Sequence, residues 1–265
     1  MKNIKKEKLA SEFLLKKTSF GGNTAIILGS GLGEFPEILT ESKILSYKKI
    51  PYFPNSNVEG HQGQFVVGNL FDKELLIARG RVHCYEGYSR ERVAFPIKVL
   101  KECGIKNLII TNSSGSLDKK NPPGTIMNIV GHIDCTFQDN FQEPLLNNDE
   151  KYHAIDFIKL SNEIASENKI KIISGNYCWV LGPAYETPEE IKYFKLLNGT
   201  AIGMSTLPEI KEAGNLGIRV LSLALLTNYA AGITDEILTH NDVLKIAEQS
   251  KFNIIKLLSG IIERI

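Results

Sequence analysis

Short, continuous runs of aliphatic residues recur along this chain, and between them lie stretches with helical apolar spacing. The runs are TAIILG (24–29), QFVVGNL (64–70), ELLIAR (74–79), NLIITN (107–112), TIMNIV (125–130), NYCWVLG (176–182), TAIGMS (200–205) and RVLSLALLTN (219–228). A strand covered on one face alternates apolar and polar residues, whereas one covered on both faces reads as an unbroken Val/Ile/Leu run. Most of these runs are of the second kind, so helices must lie on both sides of a sheet. Residues 64–79, interrupted near Asn69 to Lys73, read as a β-hairpin, which makes the sheet mixed.

Helices are marked between the runs. Residues 90–104 (RERVAFPIKVLKECG) have helical spacing and end at Gly104, a C-cap glycine. In TPEEIKYFKLLNG (187–199), Thr187 is an N-cap, Pro188 takes the first helical position and Glu190 completes a capping box. Residues 241–265 read as a long amphipathic helix, and the lysine-rich start as a solvated helix face. The expected fold is α/β: one domain over residues 1–265, with a mixed, twisted sheet flanked by helices.

Composition excludes several classes. With a formal net charge of +1 and no basic face, the 265-residue chain lacks the field of a nucleic-acid binder. No window is apolar for the ~18 residues a membrane span needs, and no signal peptide is visible. Cys84, Cys103, Cys135 and Cys178 form no CxxC pair and no disulfide ladder, which fits a reducing cytoplasm.

Polar clusters gather at the C-terminal ends of the apolar runs, where open α/β sheets bind ligands. GSGLG begins at Gly29 and carries Ser30. Its glycines fit neither a dinucleotide fingerprint nor a Walker loop, and suit an anion cradle or a plain tight turn. GHQGQ places His61 between glycines. In ARGRVHCYEGYS (78–89), Arg79 and Arg81 face opposite ways if the strand continues, and Arg81, His83 and Tyr85 share a face. An arginine fork and an imidazole on one face suit phosphate; a salt bridge from either arginine to Glu86 is the structural alternative. TNSSGSL (111–117) offers small hydroxylated residues including Ser113 after a strand. GPAYETPEE carries Tyr185, able to stack on a flat ring, and Glu186 at a helix start. GMSTLPE carries Met204 and Ser205, LLTNYAAG carries Asn228, and LTHNDVL carries His240. An amide such as Asn228 matches a heterocycle edge that presents a carbonyl and a ring nitrogen. No HExxH or spaced Cys pair suggests a metal site.

Taken together, GSGLG, GHxG, GRxHxYEGY, TNxxG, GPxYET, GMST-PE, TN-AAG and H-x-DVL resemble, in order and spacing, the trimeric purine nucleoside phosphorylases, the low-molecular-mass branch of their superfamily. The resemblance runs from about Thr24 to Val243. It implies reversible phosphorolysis of purine (deoxy)ribonucleosides to free base and pentose 1-phosphate. It further implies no metal or organic cofactor, inorganic phosphate as co-substrate, and a homotrimer. Carried over, Ser30, Arg81, His83, Ser205 and the backbone at Ser113 hold phosphate, with His61 beside it. Tyr85 and the Met204 backbone meet the ribose hydroxyls, and His240 the 5′-hydroxyl. Tyr185 packs on the base, while Glu186 and Asn228 bind its edge; Asn228 goes with 6-oxopurines such as inosine and guanosine. The related methylthioadenosine phosphorylases carry Asp at the Asn228 position and lack the equivalent of His240. The rival readings are a phosphorylase of that type, a hydrolytic nucleosidase, and a non-catalytic nucleoside- or phosphate-binding module.

The chain departs from the family pattern in two places. TNSSGS stands for TNAAGG. Residues 131–153 keep only an echo of DHIN, with Gly131 for the aspartate, and leave Phe137, Phe141 and Tyr152 as candidates for the aromatic lent to a neighbouring subunit.

Overall fold

A computed structural model describes the backbone of residues 5–56, 58, 61–138, 143–234 and 240–265, and the side chains of all of these except 240–243. The element order is α1 (Lys6–Thr18), β1 (Thr24–Leu28), β2 (Thr40–Ser46), β3 (Gln64–Leu70), β4 (Lys73–Arg79), α2 (Arg90–Glu102), β5 (Asn107–Ser116), β6 (Ile126–Asp134), β7 (Leu146–Asn147), α3 (Ile155–Glu167), β8 (Ile172–Trp179), α4 (Pro188–Leu196), β9 (Ala201–Gly203), α5 (Leu207–Asn215), β10 (Arg219–Tyr229) and α6 (His240–Arg264).

Both faces of the sheet are covered, and the strand residues sort between two cores by parity. Ala25 and Ile27 of β1, Leu76 of β4 and Leu108 and Ile110 of β5 join one core with α1, α2 and α5. Ile26 and Leu28, Leu75 and Ile77, and Ile109 join the other, with α3 and α6. Side chains one residue apart on a strand point to opposite faces, so an unbroken aliphatic run serves two cores at once.

The sheet is mixed. Strand β1 lies parallel to β4 and β5, and β10 parallel to β5, while β2, β3 and β4 form an antiparallel meander. The β3–β4 turn is a two-residue hairpin in which Phe71 and Asp72 both take positive φ, 51° and 59°.

Strand β5 positions the site. One edge pairs with β10 along its whole length, from Asn107 to Ser116. On the other edge β1 pairs with Asn107 to Ile110, and β9 pairs only with Gly115 and Ser116. Residues 111–114 lie in the gap where one neighbour has ended and the next has not begun. Such a divergence at the carboxyl ends of parallel strands opens a crevice.

Several sequence expectations shift. Strand β5 runs on past Asn112 to Ser116, and Gly131 to Asp134 extend β6. Strand β8 starts at Ile172 and ends at Trp179, before Gly182. Strand β2 and helices α3 and α5 were not read from the pattern. The capping box at Thr187 and the left-handed Gly104 (φ 89°) stand as expected.

Candidate functional site

The crevice is an open-mouthed cleft of about 780 Å³. Of the twelve candidate residues, eleven line it: Ser30 after β1, His61 ahead of β3, Arg81, His83 and Tyr85 after β4, Ser113 from β5, Tyr185 and Glu186 ahead of α4, Met204 and Ser205 after β9, and Asn228 from β10. His240 opens α6, and its side chain lies outside the described residues, as does Phe141.

The opening arginine stretch does not continue as a strand. Strand β4 ends at Arg79, and Gly80 turns the chain with φ 104°. A Cβ on Gly80 would stand 2.7 Å from both Cβ and Nδ1 of His61, so the position needs glycine for its conformation and for its space. The Tyr47 hydroxyl donates to the Gly80 carbonyl at 2.9 Å. Strand alternation is therefore not what brings Arg81, His83 and Tyr85 together. A turn and a following 3₁₀ segment (Cys84–Glu86) do so. Arg79 does not line the cleft, and burial lowers its pKa.

Glu86 belongs to His83 rather than to an arginine. Its Oε1 accepts from the His83 backbone N–H at 2.8 Å and lies 3.0 Å from His83 Nδ1, while Ser56 Oγ donates to the same carboxylate. The pairing turns the other ring nitrogen of His83 away from Glu86. The His83 ring stacks on Tyr85, centroids 4.6 Å apart. Burial pushes the Tyr85 phenol up to about 12, so it keeps its proton at neutral pH. His61 Nδ1 accepts from the Arg81 backbone N–H at 3.3 Å, which assigns the proton of the neutral ring to Nε2.

Arg81 is 5% exposed and its carboxylate partner is Glu209 on α5, Nε to Oε1 3.4 Å, not Glu86. Its Nη1 donates to Thr206 Oγ1 (2.8 Å) and Ser205 Oγ (3.2 Å), and its Nη2 to the carbonyls of Thr111 (2.7 Å) and Ile27 (3.4 Å). The guanidinium thus ties the end of β1 and the middle of β5 to the start of α5. Thr206 and Glu209 lie within GMSTLPE, yet nothing local marks them as the partners of Arg81; a glutamate flanked by Leu207, Pro208 and Ile210 is the one available signal of its burial.

Glycines set the remaining walls. A Cβ on Gly29 would fall 2.7 Å from Asn112 Cα, so the turn after β1 lies directly on β5. Ser113 Oγ donates to the Ser30 carbonyl at 3.0 Å across the same contact. At the other end, the β10 register shifts between Leu226 and Asn228, a bulge that aims Asn228 into the cleft. Thr227 Oγ1 donates to Asn228 Oδ1 at 3.0 Å, and the Asn228 Nδ2 donates to the Tyr229 carbonyl. Any Cβ at Gly115 would press on that amide at 3.2 Å. Glu186 precedes the capped α4, and burial pushes its carboxyl up. Tyr185 is 48% exposed at the mouth.

Among the described residues, no group of three or more His, Cys, Asp or Glu is placed to hold a metal ion, and no helix is long and apolar enough to cross a membrane. The four cysteines are free thiols. In the 131–153 segment, Phe137 is exposed and stacks on Tyr193, whereas Tyr152 packs on His132 and reaches Asn215 within its own chain.

Comparison with known proteins agrees with this geometry. The model of the phosphorylase superfamily matches residues 23–263. Purine nucleoside phosphorylase 1 of Bacillus subtilis is 36% identical over 96% of each chain, and the mouse purine nucleoside phosphorylase 34% identical over 82% of this chain and 80% of its own. A solved Schistosoma purine nucleoside phosphorylase in complex with hypoxanthine superposes with a TM-score of 0.89 at 30% identity, covering 99% of this chain and 98% of that one. On these grounds the chain belongs to the purine nucleoside phosphorylases, within the phosphorylase superfamily.

Proposed function

We propose that the cleft carries out reversible phosphorolysis of purine nucleosides, preferentially the 6-oxopurine ribosides and deoxyribosides, within one domain spanning the chain. One observation carries the reading: a single cleft is lined by hydroxyl, imidazole and guanidinium groups, Ser30, Ser205, His83 and Arg81, and by a carboxyl and an amide, Glu186 and Asn228, and the reading sets the two groups at its two ends. Phosphate takes the first end, with the Ser113 backbone among its donors and His61 beside it. The base takes the second, under Tyr185. The ribose spans between them, against Tyr85 and Met204, and His240 reaches the 5′-hydroxyl.

The chemistry follows from charge. Cleavage of the glycosidic bond leaves positive charge on the sugar and negative charge on the purine. The phosphate anion stabilises the cationic sugar and then bonds to its anomeric carbon. The amide of Asn228 donates to the purine as charge gathers at its ring nitrogen and carbonyl, an interaction that strengthens on the way to the transition state. Phosphate is a co-substrate, and neither an organic cofactor nor a metal is required. Asn228 rather than Asp favours the 6-oxo edge over a 6-amino edge, against a methylthioadenosine-type activity. A homotrimer in the cytoplasm is the assembly and compartment that fit the family. Exposed Phe137 is the described candidate for a residue lent to a neighbour, and a mass measurement in solution checks the trimer.

Incubation with inosine, with and without phosphate, tests the activity. Phosphate-dependent hypoxanthine release is expected. Phosphate-independent release makes the protein a nucleosidase, and binding without release makes it a nucleoside-binding module.

A further inference from the structure

Thr206 is fully buried and sits at φ 77°, ψ −43°, a conformation a β-branched residue rarely adopts. Its hydroxyl is a junction. Arg81 Nη1 and Asn112 Nδ2 both donate to Thr206 Oγ1 at 2.8 Å, and Ser205 Oγ lies 3.0 Å from it. The Asn112 amide stands with its nitrogen toward Thr206 and its Oδ1 2.7 Å from Ser114 Oγ, which donates to it in this orientation. A threonine hydroxyl has two lone pairs and one proton. With both lone pairs taken by obligate N–H donors, the proton has one partner left, Ser205 Oγ. That oxygen also accepts from Arg81 Nη1 at 3.2 Å. Both of its own lone pairs are then filled, and among the described residues no protein acceptor is left for its proton, which turns into the cleft that Ser205 lines.

We propose that Thr206 is a positioning residue that turns the Ser205 hydroxyl proton toward the phosphate, so that Ser205 meets the anion as a pre-aimed donor. The chain Ser114, Asn112, Thr206, Ser205 runs one way, and Arg81 feeds it twice. Of the residues that set TNSSGS apart, Ser114 belongs to this chain: its hydroxyl supplies the partner on the oxygen side of the Asn112 amide that donates to Thr206. The inference rests on the phosphate assignment made above for Ser205. An aimed donor spares the reorientation that a freely turning hydroxyl would need. A hydrogen bond to a charged group contributes about 1.5–3 kcal/mol, so losing the aim should cost about 10–100-fold in phosphate affinity.

The test compares KM for phosphate, KM for inosine and kcat in Ser205→Ala, Thr206→Val and Thr206→Ser, each checked by thermal melting. The expected result is a phosphate KM raised about 10–100-fold in Ser205→Ala and Thr206→Val, and restored to within about 3-fold of wild type in Thr206→Ser. KM for inosine at saturating phosphate should stay within about 3-fold throughout. Should Ser205→Ala leave the phosphate KM unchanged, the phosphate assignment itself fails. Should Ser205→Ala raise it while Thr206→Val does not, or should Thr206→Ser be as impaired as Thr206→Val, the aiming role is overturned. If Thr206→Val does not fold, Thr206→Cys takes its place: a thiol accepts weakly, so an intermediate rise supports the role and a wild-type phosphate KM overturns it.

Discussion

Removing the carboxylate behind Arg81 should unfold the protein early without weakening phosphate binding. Arg81 Nε and Glu209 Oε1 lie 3.4 Å apart, with side-chain exposures of 4% and 3%. At an effective dielectric near 20, a pair at that distance attracts by about 5 kcal/mol, which offsets the cost of taking both charges out of water. Glu209→Ala keeps the buried guanidinium and deletes its counter-charge. Losing one partner of a buried pair costs about 3–5 kcal/mol. The lower end applies here, because the hydroxyls of Ser205 and Thr206 and the carbonyls of Thr111 and Ile27 still satisfy the terminal nitrogens. For a chain of this size that corresponds to a fall in melting temperature on the order of 10 °C. Glu209→Gln retains an oxygen toward Nε and should lose about half as much. In both variants the phosphate end of the cleft gains one unit of positive charge, so phosphate should bind the Gln variant at least as tightly as wild type. Melting curves with and without phosphate, alongside steady-state phosphate KM, read both effects. A Glu209→Ala protein within about 1 kcal/mol of wild type, or a Gln variant with clearly weaker phosphate binding, would show that the pair does not work in this way.

Three further outcomes are expected. Asn228→Asp should shift preference from inosine toward adenosine, and unchanged discrimination between the two would refute the role given to that amide. Thr187→Ala removes the cap of α4, whose hydroxyl accepts from the Glu190 backbone N–H; it should cost about 1 kcal/mol of stability and raise the inosine KM through Glu186 while leaving the phosphate KM in place. His132 and His153 are buried with Nδ1 and Nε2 2.9 Å apart, and burial lowers their pKa values to about 3 and about 4. Lys211 opposes charging of His132 and Asp149 favours charging of His153. The unfolded chain therefore takes up protons that the folded one refuses, so this pair leaves stability intact above pH ~6.5 and erodes it as pH falls toward 4, by about 1.4 kcal/mol per pH unit for each ring at the steepest. A His153→Gln variant should show a shallower fall in melting temperature over that range, and an equal slope would remove the pair from the account.

Unbroken aliphatic runs announced two-sided burial, and the parity of Ile26 and Ile27 between the two cores is what that pattern means physically. The capping box at Thr187 and the left-handed Gly104 were legible because they are local backbone chemistry. The aliphatic run marks β5 only as far as Asn112; what carries the strand on to Ser116 is pairing with β10, more than a hundred residues away. Arg81, His83 and Tyr85 were grouped correctly for an incorrect reason, since Gly80 ends the strand on whose alternation the grouping relied. Partners were the least legible. Glu209 lies 128 positions from Arg81 in sequence, and no spacing rule connects a strand-end arginine to a helix-start glutamate.

Under the proposed assignment, those hidden partners change how the end of the cleft given to phosphate works. The guanidinium and the imidazole there each have a carboxylate of their own: Glu209 behind Arg81 and Glu86 beside His83. An unpaired buried guanidinium would bind phosphate strongly, yet it would bind the substrate anion and the product sugar phosphate alike. Uniform binding of that kind lowers KM without accelerating the chemical step, and it slows product release. With these groups paired, the proposed assignment leaves discrimination to short, directed donors: the hydroxyls of Ser205 and Ser30 and backbone N–H groups near Ser113. Directed donors respond to where the phosphate oxygens sit as the sugar bond forms, whereas a point charge responds mainly to their presence. Neutralised charge with aimed hydroxyls is the arrangement suited to a reaction that runs in both directions, and it explains why the arginine in this cleft spends its hydrogen bonds on Thr206, Ser205 and two strands.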